Sequence, residues 1–377
     1  MNAPLGHLRF PDAESRGRRY PELAHPFRSD FQRDRDRVIH SRAFRRLEDK
    51  TQVFTPDFSD HFRNRLTHTI EVTQISRTAA AALGLNEQLA EALALAHDIG
   101  HSPFAHAGED ELNRRMAAFG DSFDHNLHAL RIVESFEHRY ARFPGLNLTF
   151  EVREGIVKHS RDFEPGEIPE LDEYLPGQRP PLEAQLIDLA DEVAYGTSDL
   201  DDGYSAGLFA IAEVSEAVPA FTSLYADAEV QFPGASEKIR FQEVLRALVD
   251  WLVSGLIIGT IEAVKAAGIE EWQRVRTHGS RLACFTQETQ AAARALKQFL
   301  HWHVYFSEPL VEERRRSAAM LGDLFAYYLE HPAKLPDQYR EAMDHAPAHR
   351  VVCDYLAGMT DGFCRRAYQQ AFGAANA

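Results

Sequence analysis

Residues 87–103 read EQLAEALALAHDIGHSP, and this stretch decides the fold class. From Glu87 to His97 it is built of strong helix formers with no β-branched residue, and Gly100 and Pro103 end it. Downstream, Pro180 and Pro181 precede LEAQLIDLADEVAY, where Leu182, Leu186, Leu189 and Val193 recur at helical spacing. Helical patterns return over 241–267, 287–305, 311–330 and 350–372. No alternating run is flanked by turn signals on both sides. LNLTFEV (146–152) reads as a short strand or an extended loop, and 162–181, with five prolines and two glycines, as a long surface loop. No internal repeat or low-complexity tract interrupts the series. The reading is all-α.

The chain of 377 residues allows two domains or one large one, at about 100–200 residues each. With 44% hydrophobic and 26% charged residues it has the balance of a globular protein able to bury a core without staples. Three cysteines (Cys284, Cys353, Cys364) with no CxxC spacing argue against a disulfide framework and a cysteine-based zinc site. The first residues lack the apolar stretch of a signal peptide, and the longest apolar run, 251–264, is shorter than the ~20 residues of a membrane span. A cytoplasmic protein without a membrane partner is expected.

A net charge of −16 speaks against a broad basic nucleic-acid surface. Residues 1–65 nevertheless carry 14 basic against 10 acidic side chains, and 13 of the 14 are arginine. Such a cluster in an acidic protein suits recognition of a small anion, because the guanidinium fork matches phosphate geometry.

Seven of the 18 histidines lie between His61 and His128, about twice an even share. His68, the doublet His97-Asp98, and Asp191 in the LIDLADEVAY helix offer imidazole nitrogens and carboxylate oxygens, a donor set for a first-row divalent ion. On a regular helix His97 and Asp98 would point about 100° apart, so an ion would sit in the groove beside it, with His68 and Asp191 arriving from other helices. Composition and spacing support a metal-dependent phosphohydrolase and no more.

The longer strings are more specific. NRLTHTIEV (64–72), HDIGHSPFAHAGE (97–109), FDHN (123–126) and DEVAYGTSDLDDG (191–203) resemble the HD-superfamily dNTP triphosphohydrolases, the dGTPase family. RDRDRVIHSRAFRRLEDKTQVF (33–54) and CDYLAGMTDGF (353–363) resemble that family's end segments, so the likeness covers almost the whole chain in order. It implies an Arg-rich N-terminal segment contributing to the active site (1–60), an HD core (61–205) and a C-terminal helical region packed on it (206–377).

Residue by residue, the resemblance implies that His68, His97, Asp98 and Asp191 are metal ligands. The cofactor would be a divalent ion, Mn²⁺ or Mg²⁺ first, with Fe²⁺, Co²⁺, Ni²⁺ or Zn²⁺ also suited. His106 and Glu109 match the catalytic pair; His101 and His125 match histidines that contact phosphate and share in proton transfer. Arg65 matches a triphosphate-gripping arginine, and Tyr195 and Asp199 match positions that read the deoxyribose around its 3′-hydroxyl. Asp191, Tyr195 and Asp199 are spaced i, i+4, i+8, one face of a helix if it runs on past Gly196, where an irregular last turn is expected.

Lys158, in EGIVKHS, is a further candidate for a phosphate contact, since a buried lysine needs an anion. Arg46 and Glu48 of the basic arm join the substrate-contacting set. Glu48 stands where the family often has glutamine; a carboxylate accepts from a 3′-hydroxyl but cannot donate, which bears on nucleotide preference.

The family reaction is hydrolysis of a dNTP to deoxynucleoside and inorganic tripolyphosphate. An HD-type nucleotide phosphodiesterase and a dNTP-sensing regulator with little turnover are the competing readings; intact His106, Glu109 and ligand candidates argue against the latter. The resemblance also implies a homo-oligomer, hexamers included, and raises a dNTP effector and single-stranded DNA as further partners.

Overall fold

The computed structural model describes residues 3–55 and 61–373. Among these residues helices dominate and no strand forms; the β-type pairing consists of isolated bridges, Arg18 to Thr149 and Thr51 to Asn64. The all-α reading holds. The chain divides into two compact units, each assembled from three stretches.

The first unit comprises the described residues of Met1–Arg37, His68–Leu95 and Leu148–Ser307. Its long helix Leu182–Ser205 packs against Glu237–Ala267 and Gln287–Leu300. Leu186, Val193 and Leu200 on it are fully buried, as are Leu248, Leu252 and Leu296 on the others. Burial of such a side chain contributes about 1.5–3 kcal/mol, which outweighs the weak propensity of the glycine within the helix. The helix accordingly continues without a break to Ser205, and the irregular turn expected after Gly196 does not occur. A Cβ at Gly196 would stand 3.2 Å from Leu296 Cδ2, so the glycine lets the Gln287–Leu300 helix approach closely.

Two readings are refined within this unit. Asn147 is left-handed, with φ of +50°, and Phe150 starts a helix to Val157, so LNLTFEV is not a strand. The buried Asp34 carboxylate takes the Thr149 N–H at 2.9 Å and its hydroxyl at 2.6 Å, holding the chain extended at the helix entry. The proline-rich 162–181 segment contains a 3₁₀ helix, Pro169–Tyr174, that buries Leu171 and Tyr174. The helix Glu237–Ala267 is longer than the apolar run at its centre: its 31 residues are long and apolar enough to cross a membrane by length and composition. It packs on three helices of this unit, with Phe241, Val244, Leu248, Leu252 and Leu256 buried.

The second unit comprises the described residues of Val38–Thr67, Ala96–Asn147 and Glu308–Ala377. Ala105–Ala117 packs against Glu308–Glu330 and Ala348–Ala357. Their core holds Leu112, Met116, Leu321, Phe325, Val352 and Leu356. The single helical pattern over 350–372 is two helices, Ala348–Ala357 and Asp361–Phe372. Thr360 caps the second by accepting from the Phe363 N–H, a side-chain cap that competes with helix continuation. Cys284, Cys353 and Cys364 are all free thiols.

Candidate active site

The helix Glu87–Ala96 ends before the His97-Asp98 doublet, which therefore lies in a turn and not on a regular helix. Gly100 closes that turn where nothing larger fits: a Cβ there would lie 2.0 Å from the His125 carbonyl oxygen. The start of the helix His125–Arg131 is thereby held against the doublet, and Asp124 caps it by accepting the Asn126 and Leu127 N–H groups.

These close approaches assemble a continuous polar array. Arg65 Nη1 donates to Asp98 Oδ2 at 2.8 Å, and Asp98 Oδ1 lies 3.0 Å from His101 Nε2 and 3.5 Å from His97 Nε2. Burial alone would raise the Asp98 carboxyl, but Arg65 with His97 and His101 holds it well below the usual carboxylate range. Burial, with the Arg65 and His125 charges, pushes His101 well below the usual imidazole value, so its ring is neutral at pH 7. That ring stacks on His125 at 4.0 Å, and the His106 ring stands edge-on to it at 5.7 Å.

Glu109 links the other two histidines. His125 Nδ1 donates to Glu109 Oε1 at 2.8 Å, and the His125 backbone N–H adds a second bond at 3.0 Å. His106 Nδ1 lies 3.5 Å from Glu109 Oε2. Burial opposes ionisation of Glu109, but His106 and His125 outweigh it and hold the carboxyl far below its ordinary value. His106 is exposed, its side chain 79% accessible, whereas Glu109 is 16% accessible. An exposed imidazole tied to a mostly buried carboxylate is placed to exchange protons with a bound molecule.

Asp361 and Lys50, outside the motif, hold it in place. Asp361 accepts from the Thr51 N–H at 2.9 Å, from the Thr51 hydroxyl, and from the Phe104 N–H at 3.0 Å. Phe104 and Ala105 are left-handed, with φ of +64° and +54°, a conformation costly for both residue types. Lys50 is buried and donates to the His101 and Ala357 carbonyls. Arg46 donates to the Gly358 carbonyl at 2.6 Å, and Glu48 is exposed in the turn Leu47–Asp49.

The first unit carries the other candidates. His68 Nε2 lies 2.8 Å from Asp191 Oδ1, an imidazole nitrogen against a carboxylate oxygen. Asp191, Tyr195 and Asp199 share one face of Leu182–Ser205, as their spacing requires. Burial and the nearby Glu192 push the Tyr195 hydroxyl above its ordinary value, so it stays protonated as a donor. Tyr305, absent from the sequence reading, donates its hydroxyl to Asp199 Oδ2 at 2.6 Å.

Lys158 is corrected here. Its ammonium donates to Glu154 Oε1 at 2.8 Å, to the Leu175 carbonyl at 2.9 Å and to the Gln178 carbonyl at 2.8 Å. Three donors meet three internal acceptors, so the anion this buried lysine requires is Glu154 and not a phosphate. Its neighbour His159 instead faces the site: Nδ1 lies 2.7 Å from Asp188 and Nε2 lies 3.8 Å from Asp191.

The donor chemistry in both units suits a divalent ion, since each pairs imidazole nitrogen with carboxylate oxygen. Residues 65–196 match the HD domain and residues 283–370 match the phosphohydrolase-associated domain. The chain is 44% identical over 370 residues to a deoxyguanosinetriphosphate triphosphohydrolase-like protein of Azoarcus sp. (strain BH72), covering 98% of this chain and 96% of that one. It is 42% identical over 371 residues to the protein of that description from Geobacter sulfurreducens, covering 98% and 95%. With one from Ralstonia nicotianae it shares 44% identity over 361 residues, covering 96% and 92%. An HD domain, its associated domain and near-full-length identity make this chain a member of the deoxyguanosinetriphosphate triphosphohydrolase-like family of HD-domain phosphohydrolases.

Proposed function

We propose that this phosphohydrolase acts on deoxynucleoside triphosphates, releasing deoxynucleoside and inorganic tripolyphosphate. The observation that carries the reading is the array Arg65–Asp98–His101–His125–Glu109–His106, which combines an anion-binding cation with linked proton carriers. The names of the relatives point to a deoxyguanosine triphosphate as one substrate.

His68, His97, Asp98 and Asp191 all fall inside the matched HD domain and would hold the metal. A divalent cation, Mn²⁺ or Mg²⁺ first, supplies Lewis-acid polarisation of the phosphoryl oxygens. Arg65 would bind the triphosphate, adding to the charge neutralisation that phosphoryl transfer demands. Water attacks the α-phosphorus and the bond from that phosphorus to the 5′-oxygen breaks. Water gives up a proton and the 5′-oxygen must gain one. The His125 Nδ1 bond to Glu109 leaves Nε2 as the ring atom that would exchange a proton, and His106 is exposed, so these two imidazoles are the candidates for such a transfer. Tyr195 and Asp199, at the far end of the Asp191 stripe, would read the 3′-hydroxyl.

The test is incubation of the purified protein with Mn²⁺ and each dNTP, singly and as an equimolar mixture, with chromatographic separation of products. Deoxynucleoside plus tripolyphosphate, abolished by Asp98→Ala, is the expected result, and activity confined to the mixture would add an effector site. Monophosphate plus pyrophosphate would overturn the assignment.

A further inference from the structure

His159 is placed by its surroundings more firmly than a buried structural histidine requires. It lies in the turn after the helix Phe150–Val157, and its Nδ1 is 2.7 Å from Asp188 Oδ1. A carboxylate accepts and does not donate, so Nδ1 carries the proton and the lone pair of the neutral ring is on Nε2. Asp188 is itself anchored on both oxygens: Oδ1 accepts the Ser160 N–H at 2.9 Å and Oδ2 accepts from the Arg281 guanidinium. Arg281 in turn donates to the Lys158 carbonyl at 2.6 Å and the Arg161 carbonyl at 2.9 Å, tying the turn that carries His159 to the same carboxylate. The ring orientation is therefore over-determined.

That orientation aims Nε2 at Asp191. The separation from Oδ2 is 3.8 Å, too long for a hydrogen bond, while Asp191 Oδ1 lies 2.8 Å from His68 Nε2. One carboxylate thus has an imidazole Nε2 beside each of its oxygens. Two donors each about 2.1 Å from a common cation stand roughly 3–4 Å apart, the spacing seen between His159 and Asp191. An imidazole whose far nitrogen is held by a carboxylate is also the usual arrangement of a metal-binding histidine.

We infer that His159 is a further metal ligand, binding a divalent cation through Nε2 and sharing Asp191 with His68, with Asp188 as its positioning residue. The inference rests on the reading of Asp191 as a ligand. It gives the motif EGIVKHS a role that Lys158, spent on Glu154 and two carbonyls, cannot fill.

Chelator-stripped full-length protein titrated with Co²⁺, followed by visible absorption and calorimetry, tests this without turnover. His159→Gln is expected to weaken Co²⁺ binding at least tenfold and to change the d–d absorption, or to remove one equivalent of bound metal. Asp188→Asn should weaken binding about 10–100-fold. His159→Cys keeps a ligand at the position and should add a thiolate-to-cobalt charge-transfer band in the near ultraviolet, a signal no packing role would produce. Wild-type affinity, stoichiometry and spectrum in His159→Gln, or no such band in a folded His159→Cys protein, would overturn the inference alone. A wild-type protein that binds no Co²⁺ would overturn the reading of the Asp191 site along with it.

Discussion

Asp361 accepts the backbone N–H of Phe104 at 3.0 Å across 257 residues of chain, and this bond holds the left-handed entry to the helix that carries His106 and Glu109. The same carboxylate takes both the N–H and the hydroxyl of Thr51. Asp361→Ala leaves these buried donors without their acceptor and is expected to cost at least about 2 kcal/mol in urea denaturation. Because the loop shifts with it, kcat should fall by about 10²-fold while KM for the dNTP changes little. Equal loss in Asp361→Asn and Asp361→Ala of stability but none of kcat would separate the clamp from catalysis.

Glu109 and His125 are joined by two hydrogen bonds and are expected to act as a unit. Glu109→Gln retains an acceptor but removes the charge that holds the imidazoles, and kcat should drop about 10²-fold or more with KM nearly constant. Adding His125→Ala to Glu109→Gln should cost much less than His125→Ala costs alone. Multiplicative losses in this double-mutant cycle would mean that the two side chains work independently.

The Tyr305–Asp199 bond predicts where sugar selectivity lies. Asp199→Ala should lower the preference for a dNTP over its 3′-deoxy analogue by about 10–100-fold in kcat/KM, the value of a charged hydrogen bond. Tyr305→Phe should shift the same ratio in the same direction by less. An unchanged ratio in Asp199→Ala would remove the 3′-hydroxyl from this residue.

Lys50 predicts a pH dependence of stability. Burial, with the Arg46 charge, pushes its ammonium from 10.5 down to about 7. Between these values the unfolded chain holds a proton that the folded chain lacks, so unfolding takes one up and stability rises with pH. Relative to Lys50→Met, wild-type stability should be greatest above about pH 10.5 and fall toward pH 7 by up to ~1.4 kcal/mol per pH unit. Denaturation curves of the two proteins that run parallel from pH 7 to 9 would contradict it.

The thiols should differ in reactivity. Burial pushes Cys364 up to about 12, and Cys353 is also buried, whereas Cys284 is half-buried. At pH 8 a thiol of that pKa is about 10⁻⁴ thiolate, so native alkylation should mark Cys284 first and the other two only on unfolding. Mass mapping of a short maleimide pulse distinguishes this from uniform labelling.

The helices at Glu87–Ala96 and Leu182–Ser205 were legible because their signals are local: propensity, apolar spacing and terminal prolines act within a few residues. The break at Thr360 was not, since the apolar pattern runs through it and only a side-chain cap ends it. Among candidate site residues, Arg65, His101, His106, Glu109 and His125 stand out from motif strings, and they meet in one array. Lys158 was misread because the carbonyls of Leu175 and Gln178 that satisfy it lie 17 and 20 residues on, in a loop with no regular period.

By itself, then, the sequence determined the fold class, the family and the identity of the chemical groups, all properties of residue type and spacing along one chain. Only the tertiary structure decided which groups are neutral, which are already spent and which are held for use. Those depend on burial and on partners such as Asp361 for Phe104 or Tyr305 for Asp199, 257 and 106 residues apart. No local pattern encodes a hydrogen bond across such a separation; packing of the helices around it creates both the contact and the low-dielectric surroundings that give it its strength.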